Sequence, residues 1–341
     1  MTTAHPKVTV IGTTSWGTTL AVVLARKGID VSLWARTPEE AFLLTVDQEN
    51  KRHLPGTPFP ASLSVTADLT EALDAAQLVI FGVPSQHMRA NVKLIAPYIA
   101  PGTLVMSAAK GLELGTLLRM SQVLREELPP ELHPMCCVLS GPNIAKEIAA
   151  GLPAATVIAA DTLDVAKAAQ NLVMSSRFRV YSTTDMVGVE LGGTLKNIVA
   201  MGAGMNDGWE YGANTKAAFM TRGLAEITRL GIAAGANPFT FLGLAGLGDL
   251  VTTCTSQYSR NRRLGEELAR GRKLDDILPT LGGIAEGVTT TLAARELGER
   301  LNIDMPITEQ AYQVLYCGAD PKRAILELMT REPKSEMDGL G

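Results

Sequence analysis

Three lysines in nearly uncharged surroundings are the strongest candidates for chemistry in this sequence. Lys110 follows an apolar run in SAAKG, Lys196 lies in GGTLKN within a predicted helix, and Lys216 lies in NTK. Lysine is rarely buried without a partner, and burial or a neighbouring cation lowers its pKa towards neutrality. Such a lysine can protonate a carbonyl oxygen while a hydride reaches the carbon. Each of them could instead extend its charged end into solvent.

Asp249 and residues 259–263 supply groups that complement a lysine. Asp249 lies in the nearly neutral stretch LAGLGDL, where it could orient a catalytic lysine or could cap a turn. Ser259, Arg260 and Asn261 stand at a predicted helix start, where a hydroxyl, a guanidinium and an amide suit a phosphate. The alternative is a solvated basic first turn. Positive side chains at a helix N-terminus are unfavourable against the helix dipole, and this slightly favours the interpretation with a bound anion.

The segment GTTSWG, residues 12–17, has the position of a dinucleotide-binding loop of the form G-x-G-x-x-G, between a predicted strand and a predicted helix. Gly12 allows the tight turn and Gly17 allows close packing of the helix, whose N-terminus offers N–H groups to a pyrophosphate. Thr14 occupies the middle glycine position, and its hydroxyl could donate to a phosphate oxygen. The alternative is a strand–turn–helix with a purely structural role.

Arg36 follows the second predicted strand, at the place where an acidic residue would bind the ribose of NAD. No acidic residue stands at this strand tip. Arg36 could pair with the 2′-phosphate of NADP, or it could be a solvated residue at the start of a loop. We therefore expect NADP or NAD as the cofactor, with a preference for NADPH.

Almost continuously apolar runs alternate with helical stretches over the first 185 residues. The predicted strands are residues 8–11, 30–34, 78–84, 103–107, 136–139 and 156–159. Continuously apolar strands are typical of a sheet that is covered on both faces, and therefore parallel with helical crossovers. The fold class expected is α/β, with a doubly wound, mostly parallel, Rossmann-type sheet followed by an all-helical C-terminal domain.

The sequence changes character near residue 185. Beyond it there is almost no strand signal, and the predicted helices are residues 186–205, 214–234, 261–270, 286–301, 306–316 and 321–330. We predict an NAD(P)-binding domain over residues 1–185 and a helical substrate and catalytic domain over residues 186–341. The length of 341 residues is sufficient for two hydrophobic cores.

Composition argues against several classes of protein. The net charge is −4, whereas a nucleic-acid-binding protein usually carries a basic excess. The four cysteines form no CxxC pair and no zinc-ligand pattern, so we expect no metal and a reducing, cytoplasmic environment. No apolar stretch approaches the roughly 20 residues that span a bilayer, so membrane insertion is not expected. No signal peptide is expected either, because MTTAHPKVTVIG lacks a basic start and an apolar run.

Taken together, the segments of this chain resemble the bacterial-type NAD(P)-dependent glycerol-3-phosphate dehydrogenases. The matching segments are SWGTTLA, FGVPSQ, SAAKG, LSGPN, ELGGTLKN, GANTKAAFMTRGLAEITRLG, LAGLGDLVTTC and SRNRRLG, in the order and spacing of the family. A single segment is unspecific, whereas the ordered set is highly specific. The resemblance implies reversible reduction of dihydroxyacetone phosphate to sn-glycerol 3-phosphate, for phospholipid synthesis in the cytoplasm, by a homodimer.

The resemblance also implies roles for individual positions. Lys196 would exchange the proton at the substrate C2 oxygen, with Lys110 lowering its pKa and Asp249 holding it. The implied substrate contacts are Lys110, Gly141, Asn143, Lys196, Asn197, Asp249, Ser259, Arg260 and Asn261, with the phosphate near the last two. The implied cofactor contacts, besides Gly12, Thr14 and Gly17, are Ser15, Trp16, Arg36, Lys110, Ala145, Arg260, Ile284 and Glu286.

Three positions depart from the pattern of the family. Thr14 replaces a glycine, which affects the expected cofactor affinity more than the fold. Asn143 stands where serine or threonine is more common, and its amide can keep the hydrogen bond. Ile284 replaces a common valine, a mild change.

Two rival interpretations remain open. Another dehydrogenase of the β-hydroxyacid or 6-phosphogluconate-like architecture would also use a helical lysine, although the Lys196–Asn197 pair and residues 259–261 argue against it. A non-catalytic NAD(P)-sensing protein could carry the loop with Thr14. Such a protein would have little need for the charged residues Lys110, Lys196, Asp249 and Arg260.

Overall fold

The computed structural model describes residues 6–333, 335 and 336, and the chain divides into two compact units. The first unit comprises Met1–Ala109 and Met120–Met186, and the second comprises Lys110–Arg119 and Val187–Gly341. The division after Met186 lies beside the predicted boundary at residue 185, but Lys110–Arg119 belongs to the second unit. This segment belongs to the second unit because its Leu112 and Leu117 are buried in the hydrophobic core of that unit.

The first unit is built on one eight-stranded sheet. Its strands are β1 Lys7–Ile11, β2 Asp30–Trp34, β3 Leu63–Thr66, β4 Leu78–Phe81, β5 Leu104–Ser107, β6 Cys136–Ser140, β7 Ala154–Ala160 and β8 Phe178–Thr183. Their order across the sheet is β3-β2-β1-β4-β5-β6-β7-β8. Neighbouring strands are parallel except for β6 and β7, so the expected mostly parallel, doubly wound sheet is confirmed.

The α-helices of the first unit are α1 Ser15–Arg26, α2 Pro38–Asp47, α3 Leu69–Leu73, α4 Met88–Ile95, α5 Met120–Glu127, α6 Ala145–Ala149 and α7 Leu163–Val173. The start of α2 follows from its sequence. Thr37 accepts a hydrogen bond from the Glu40 N–H, and Pro38 occupies the first helical position, where its missing N–H costs nothing.

The central strands are apolar because both faces of the sheet are covered. All four residues of β4 are 0% exposed, and Leu20, Val22 and Leu24 of α1 belong to the same core. Burying one such side chain stabilises the fold by about 1.5–3 kcal/mol. The register pairs Ile11 with Phe81, so the loops that follow β1 and β4 leave the sheet side by side at its carboxyl edge.

The second unit is helical. Its helices are α8 (Met186–Gly208, with its first residue in the first unit), α9 Gly212–Ala233, α10 Asp249–Thr255, α11 Arg260–Ala269, α12 Leu274–Ile277, α13 Glu286–Leu301, α14 Pro306–Tyr316 and α15 Pro321–Met329. Each of the six predicted helical stretches corresponds to one of these helices, with ends that differ by at most three residues. The all-helical character of this region is confirmed.

Strands β3 and β8 and the short helices α10 and α12 are not predicted from the sequence, and neither is the antiparallel β6–β7 pair. The two missed strands are the two edges of the sheet, and an edge strand needs less apolar sequence than a central one. Along β8 the burial alternates instead of being continuous, with Phe178 and Val180 buried and Arg179 and Tyr181 exposed.

All four cysteines are free thiols. Cys136, Cys137 and Cys254 are buried and Cys317 is exposed. Burial raises the pKa of Cys136 to about 11 and that of Cys254 to about 12, and it raises the pKa of Cys137 as well. Within residues 6–333, 335 and 336, no cluster of three acidic, histidine or cysteine side chains could hold a metal ion. No helix in the same residues is long and apolar enough to cross a membrane.

Candidate active site

The loop between β1 and α1 needs glycine at two of the three motif positions. Gly12 has a φ of +104°, and a Cβ there would lie 2.7 Å from Val83 Cγ1. A Cβ on Gly17 would lie 2.1 Å from the Gly12 carbonyl oxygen, so helix and loop are in backbone contact. Thr14 has a φ of −64°, which any residue can adopt, so this position accepts a side chain.

The Thr14 hydroxyl is engaged within the first unit. Its oxygen caps α1 by accepting a hydrogen bond from the Gly17 N–H at 3.0 Å, and its proton is donated to the Gly82 carbonyl at 2.5 Å. A hydroxyl has one proton to donate. The expected donation from Thr14 to a phosphate oxygen therefore does not agree with this arrangement.

Ser15 and Trp16 form the first turn of α1. Ser15 Oγ donates to the His53 carbonyl at 2.5 Å, and the Trp16 ring packs edge-on against Phe178 with centroids 6.4 Å apart. The indole Nε1 of Trp16 is buried and has no hydrogen-bond partner among the described residues. A buried indole N–H normally has an acceptor, so a ligand acceptor at this position would be stabilised.

Arg36 lies in the loop after β2. Its backbone N–H donates to Glu40 Oε2 at 3.2 Å, and Glu40 Oε1 accepts from Thr13 Oγ1 at 2.5 Å. The exposed guanidinium of Arg36 makes no hydrogen bond or ion pair with any residue that the structure describes. The carboxylate of Glu40 beside the loop is missed by the sequence analysis. Its position could have been inferred from the helix start at Thr37–Pro38. Glu40 is the third residue of that helix, and a side chain at this position turns back towards the residues before the helix.

Gly141, Asn143 and Ala145 follow β6 in the first unit. Gly141 has a φ of +145°, and Ala145 is the first residue of α6. Asn143 Nδ2 donates to Thr156 Oγ1 at 3.0 Å, which fixes the amide. The other amide atom, Oδ1, is buried and without a hydrogen-bond partner in the described part of the chain, so it can accept from a ligand.

A buried carboxylate in the second unit holds two lysines. Lys110 Nζ donates to Asp249 Oδ2 at 2.6 Å, and Lys196 Nζ donates to Oδ1 of the same group. Asp249 is 1% exposed and Lys196 is 6% exposed, whereas the Lys110 side chain is 17% exposed. The structure thus brings together the three residues predicted to be catalytic, with Lys110 nearest to solvent.

The Lys196 amine has a strongly lowered pKa, of about 7. Burial is the main cause, because it penalises the charged form. The Asp249 carboxylate acts in the opposite direction, and the charge of Lys110 lowers the pKa further. An amine with a pKa near neutrality can either donate or accept a proton at ordinary pH, as a general acid–base group requires.

Asp249 and Thr253 are presented together by α10. A π-helical turn, Leu244–Gly248, precedes this helix, so that Asp249 is its first residue. Lys196 Nζ donates to Thr253 Oγ1 at 2.5 Å. Thr253 is missed by the sequence analysis, and its signal was the i, i+4 spacing from Asp249, which puts both on one face of a helix.

Ser259 and Asn261 are held firmly at the start of α11. Ser259 is the N-cap, and its hydroxyl oxygen accepts from the Arg262 N–H at 3.2 Å. Asn261 Nδ2 donates to Asn197 Oδ1 at 2.9 Å, and Asn261 Oδ1 accepts from the Gly287 N–H at 3.0 Å. The buried Asn261 amide therefore connects three helices, α8, α11 and α13.

Arg260 is a half-buried cation with no hydrogen bond or ion pair to the residues that are described. Its guanidinium lies against the backbone at Gly283, where a Cβ would be 2.7 Å from Cζ. Burial lowers the pKa of Arg260, the charge of Arg263 adds to this, and Glu286, the first residue of α13, opposes it. An undercompensated cation at a helix N-terminus favours an anionic ligand. Ile284, in the same loop as Gly283, is 48% exposed.

Lys216 belongs to a different cluster from Lys196. Its Nζ donates to both carboxylate oxygens of Asp207 at 2.8 and 2.9 Å, and Arg262 Nε donates to Asp207 Oδ2 at 2.6 Å. Of the three lysines singled out in the sequence, two are therefore on the Asp249 carboxylate and one forms an ion pair between α9 and α8.

Two family models match almost the whole chain. The NAD-dependent glycerol-3-phosphate dehydrogenase N-terminus matches residues 7–166, and the C-terminus of the same family matches residues 185–326. The chain belongs to the NAD-dependent glycerol-3-phosphate dehydrogenase family. It is accordingly an oxidoreductase, and the resemblance inferred from its motifs is confirmed.

Individual glycerol-3-phosphate dehydrogenases are similar over their full length. The curated glycerol-3-phosphate dehydrogenase (NAD(P)+) of Dehalococcoides mccartyi is 53% identical, over 98% of this chain and 93% of that protein. The crystal structure of glycerol-3-phosphate dehydrogenase from Coxiella burnetii is 38% identical with a TM-score of 0.90, over 96% of this chain and 99% of that one.

The rival interpretations receive no such support. A ketopantoate reductase from Ralstonia eutropha shares the fold at 16% identity and a TM-score of 0.55. Likeness at that level concerns the fold alone, and it explains why the architecture by itself was compatible with other dehydrogenases.

Proposed function

We propose that this protein catalyses the reversible, NAD(P)H-dependent reduction of dihydroxyacetone phosphate to sn-glycerol 3-phosphate. The observation that carries the proposal is the buried carboxylate of Asp249, with Lys196 on one oxygen and Lys110 on the other. Reduction of a ketone needs a proton donor at the carbonyl oxygen, and Lys196 has a pKa of about 7.

Lys196 gives its proton to the C2 oxygen of the ketone and takes one back in the reverse reaction. An ammonium group has three N–H donors. Asp249 and Thr253 accept two of them, which leaves the third for the substrate oxygen. The positive charges of Lys196 and Lys110 also stabilise the negative charge that develops on that oxygen.

We assign the phosphate of the substrate to Arg260 and Asn261, with Ser259 and Asn197 beside them. Three features support the assignment: the guanidinium of Arg260 lacks a partner among the described residues, the Asn261 Nδ2 has a second hydrogen, and the N-terminus of α11 favours an anion. A phosphate held there fixes the ketone in a near-attack geometry. Gly141 and the fixed amide of Asn143 are further candidates for substrate contact.

The cofactor, when bound, supplies the hydride. Its candidate contacts are Gly12, Thr14, Ser15, Trp16, Gly17, Arg36, Lys110, Ala145, Arg260, Ile284 and Glu286. The fit is supported by the tight turn at Gly12, by the close packing of α1 on the loop at Gly17, and by the indole N–H of Trp16, which has no partner among the described residues. Arg36 supports a preference for NADPH, since its guanidinium is available to a 2′-phosphate. Thr14 contributes through the shape of the loop and the cap on α1.

In this proposal residues 1–185 bind the cofactor, and residues 186–341 bind the substrate and catalyse the reaction, with Lys110 added to the second group. We further propose a homodimer that supplies glycerol 3-phosphate for phospholipid synthesis in the cytoplasm. A dimer is supported by four apolar side chains of the second unit that are 40–75% exposed, Phe239, Leu242, Leu247 and Val251. Sedimentation velocity tests the dimer directly.

Loss of absorbance at the reduced nicotinamide band tests the reaction, with dihydroxyacetone phosphate as substrate and NADPH and NADH in parallel. We expect turnover with at least one cofactor and a faster reaction with NADPH. If folded protein binds NADPH but turns over neither cofactor, the proposal is replaced by a non-catalytic NAD(P)-sensing role.

A further inference from the structure

At Gly204 and Gly265, helices α8 and α11 meet backbone to backbone, without side chains between them. A Cβ on Gly204 of α8 would lie 1.8 Å from the Arg262 carbonyl oxygen, and a Cβ on Gly265 of α11 would lie 1.8 Å from the Met201 carbonyl oxygen. Helices with ordinary side chains at their contact pack with axes about 8–10 Å apart. Glycine at both positions therefore allows a smaller distance between the two helix axes. It also fixes that distance, because backbone atoms in contact cannot rearrange as side chains can.

This contact lies one helical turn away from the residues proposed to hold the substrate. Asn197 of α8 faces Asn261 of α11 through their 2.9 Å hydrogen bond, and four residues further along both helices Met201 faces Gly265. Lys196 and Arg260 are the immediate neighbours of the asparagines. The position of the glycine contact therefore determines how far the proposed proton donor stands from the proposed phosphate ligands.

An ion pair joins the same two helices beside the glycine contact. Asp207 of α8 accepts a hydrogen bond from Arg262 Nε of α11 at 2.6 Å, and both side chains are less than one-fifth exposed. Such a partly buried, charge-assisted bond has a defined direction. It opposes rotation of α11 about its axis, which would change the direction of the Arg260 side chain.

We propose that Gly204, Gly265 and the Asp207–Arg262 ion pair are positioning residues that set the distance between Lys196 and the phosphate ligands, and so select the length of the substrate. The inference rests on the proposed function. In dihydroxyacetone phosphate one carbon separates the carbonyl from the phosphate ester oxygen. The close helix contact fits this short spacing, and a wider contact favours a hydroxyketone phosphate with one more methylene.

Gly265→Ala and Gly204→Ala test the proposal by inserting a methyl group between the helices. The expected loss in kcat/KM for dihydroxyacetone phosphate is about 100-fold, the effect of misplacing reacting groups by about 1 Å. The longer probe is 1,4-dihydroxybutan-2-one 4-phosphate. Its kcat/KM relative to that of dihydroxyacetone phosphate is expected to rise at least about 10-fold, the usual discrimination for one methylene.

Gly298→Ala is the matched control. Gly298 is a buried glycine of α13 in the same unit, and a Cβ there would lie 2.8 Å from Met305 Cγ. This variant places a methyl group against a side chain of the same unit, away from the α8–α11 contact, so its substrate ratio is expected to equal that of the wild type. A general loss of stability would lower turnover of both substrates equally and leave the ratio unchanged.

Two milder variants keep the proposal testable if the first two do not fold. A Cβ on Gly208, at the end of α8, would lie 2.7 Å from Ala269 Cβ, and Arg262→Gln removes the ion pair without adding volume. Both Gly208→Ala and Arg262→Gln are expected to shift the substrate ratio in the same direction by a smaller factor. Unchanged ratios in the folded variants overturn the inference. Absence of wild-type turnover with dihydroxyacetone phosphate would instead contradict the proposed function.

Discussion

Lys196 and Asp249 form an ion pair in which the lysine is 6% exposed and the carboxylate 1% exposed. Removing one partner of a buried ion pair leaves an uncompensated charge and typically costs about 3–5 kcal/mol, whereas replacing both by apolar groups is often neutral. Stability alone therefore does not explain the pair. The proposed exchange of a proton at Lys196 would explain why an ionisable amine is kept in this place.

Lys196→Met should lower kcat by about 100-fold to 10,000-fold, the contribution of a well-placed general acid. Methionine fills the space of the lysine stem and Asp249 keeps its ion pair with Lys110, so the fold should be retained. The Kd for NADPH should stay within the error of the wild-type value, because the phosphate loop lies in the first unit. Lys167→Met, at an exposed position of α7, is the surface control. Wild-type turnover in Lys196→Met would remove Lys196 from the mechanism.

The direction of the reaction decides the sign of the pH dependence. Reduction needs protonated Lys196, so kcat/KM for dihydroxyacetone phosphate should fall as pH rises through about 7, the pKa of this amine. Oxidation of glycerol 3-phosphate needs the neutral amine and should become faster over the same interval. Two further variants assign the midpoint to Lys196. Lys110→Met removes a charge that lowers the pKa and should move the midpoint to higher pH, whereas Asp249→Asn should move it to lower pH. Midpoints that stay in place in both variants would contradict the assignment.

Arg260→Ala should act mainly on substrate binding. Hydrogen bonds to a charged group contribute about 1.5–3 kcal/mol, so KM for dihydroxyacetone phosphate should rise by about 10-fold to 100-fold. Arg270→Ala is the comparison, since Arg270 lies just beyond the other end of α11 and pairs with Glu266 and Glu267. Steady-state kinetics on both variants decides the matter, and equal KM values would argue against phosphate recognition by Arg260.

Arg36→Ala should weaken the binding of NADPH and leave the binding of NADH nearly unchanged. The loss of one guanidinium–phosphate contact should raise the Kd for NADPH by about 10-fold or more. Fluorescence titration with both nucleotides provides its own control, because only NADPH carries the 2′-phosphate. Parallel losses for the two nucleotides would show that Arg36 acts on the loop instead.

Thr14→Ala should destabilise the first unit by about 1 kcal/mol, the usual value of an N-cap hydroxyl, and Thr14→Gly should cost only a few tenths. Neither change should strengthen NADPH binding, because the threonine backbone is already in an ordinary conformation. Chemical denaturation and nucleotide titration measure the two effects. A marked gain in affinity with glycine would mean that the threonine obstructs the pyrophosphate.

The sequence predicts those strands and helices whose pattern of apolar residues is contained within the element itself. Central strands such as β4 are continuously apolar, and amphipathic helices such as α11 bury residues three or four positions apart, so both are found from residues alone. The edge strand Phe178–Thr183 has mixed composition and is missed. The antiparallel β6–β7 pair depends on how the chain returns to the sheet, which periodicity does not encode.

The sequence predicts which residues belong to the candidate site more readily than it predicts the contacts between them. Lys110, Lys196 and Asp249 were identifiable because charge is rare in their surroundings. Thr253 carried no such mark, since a threonine in an apolar helix is ordinary, and its importance depends on the contact with Lys196. The assignment of Lys110 to the second unit required knowing that its segment is buried there.

The distribution of the cysteines gives the protein a single practical attachment point. Thiol reagents react with the thiolate, and the three buried cysteines have raised pKa values and no access to solvent. Cys317 is exposed and follows the last residue of α14. A maleimide dye should therefore label the native protein once per chain, at a known place in the second unit, without any cysteine having to be removed first.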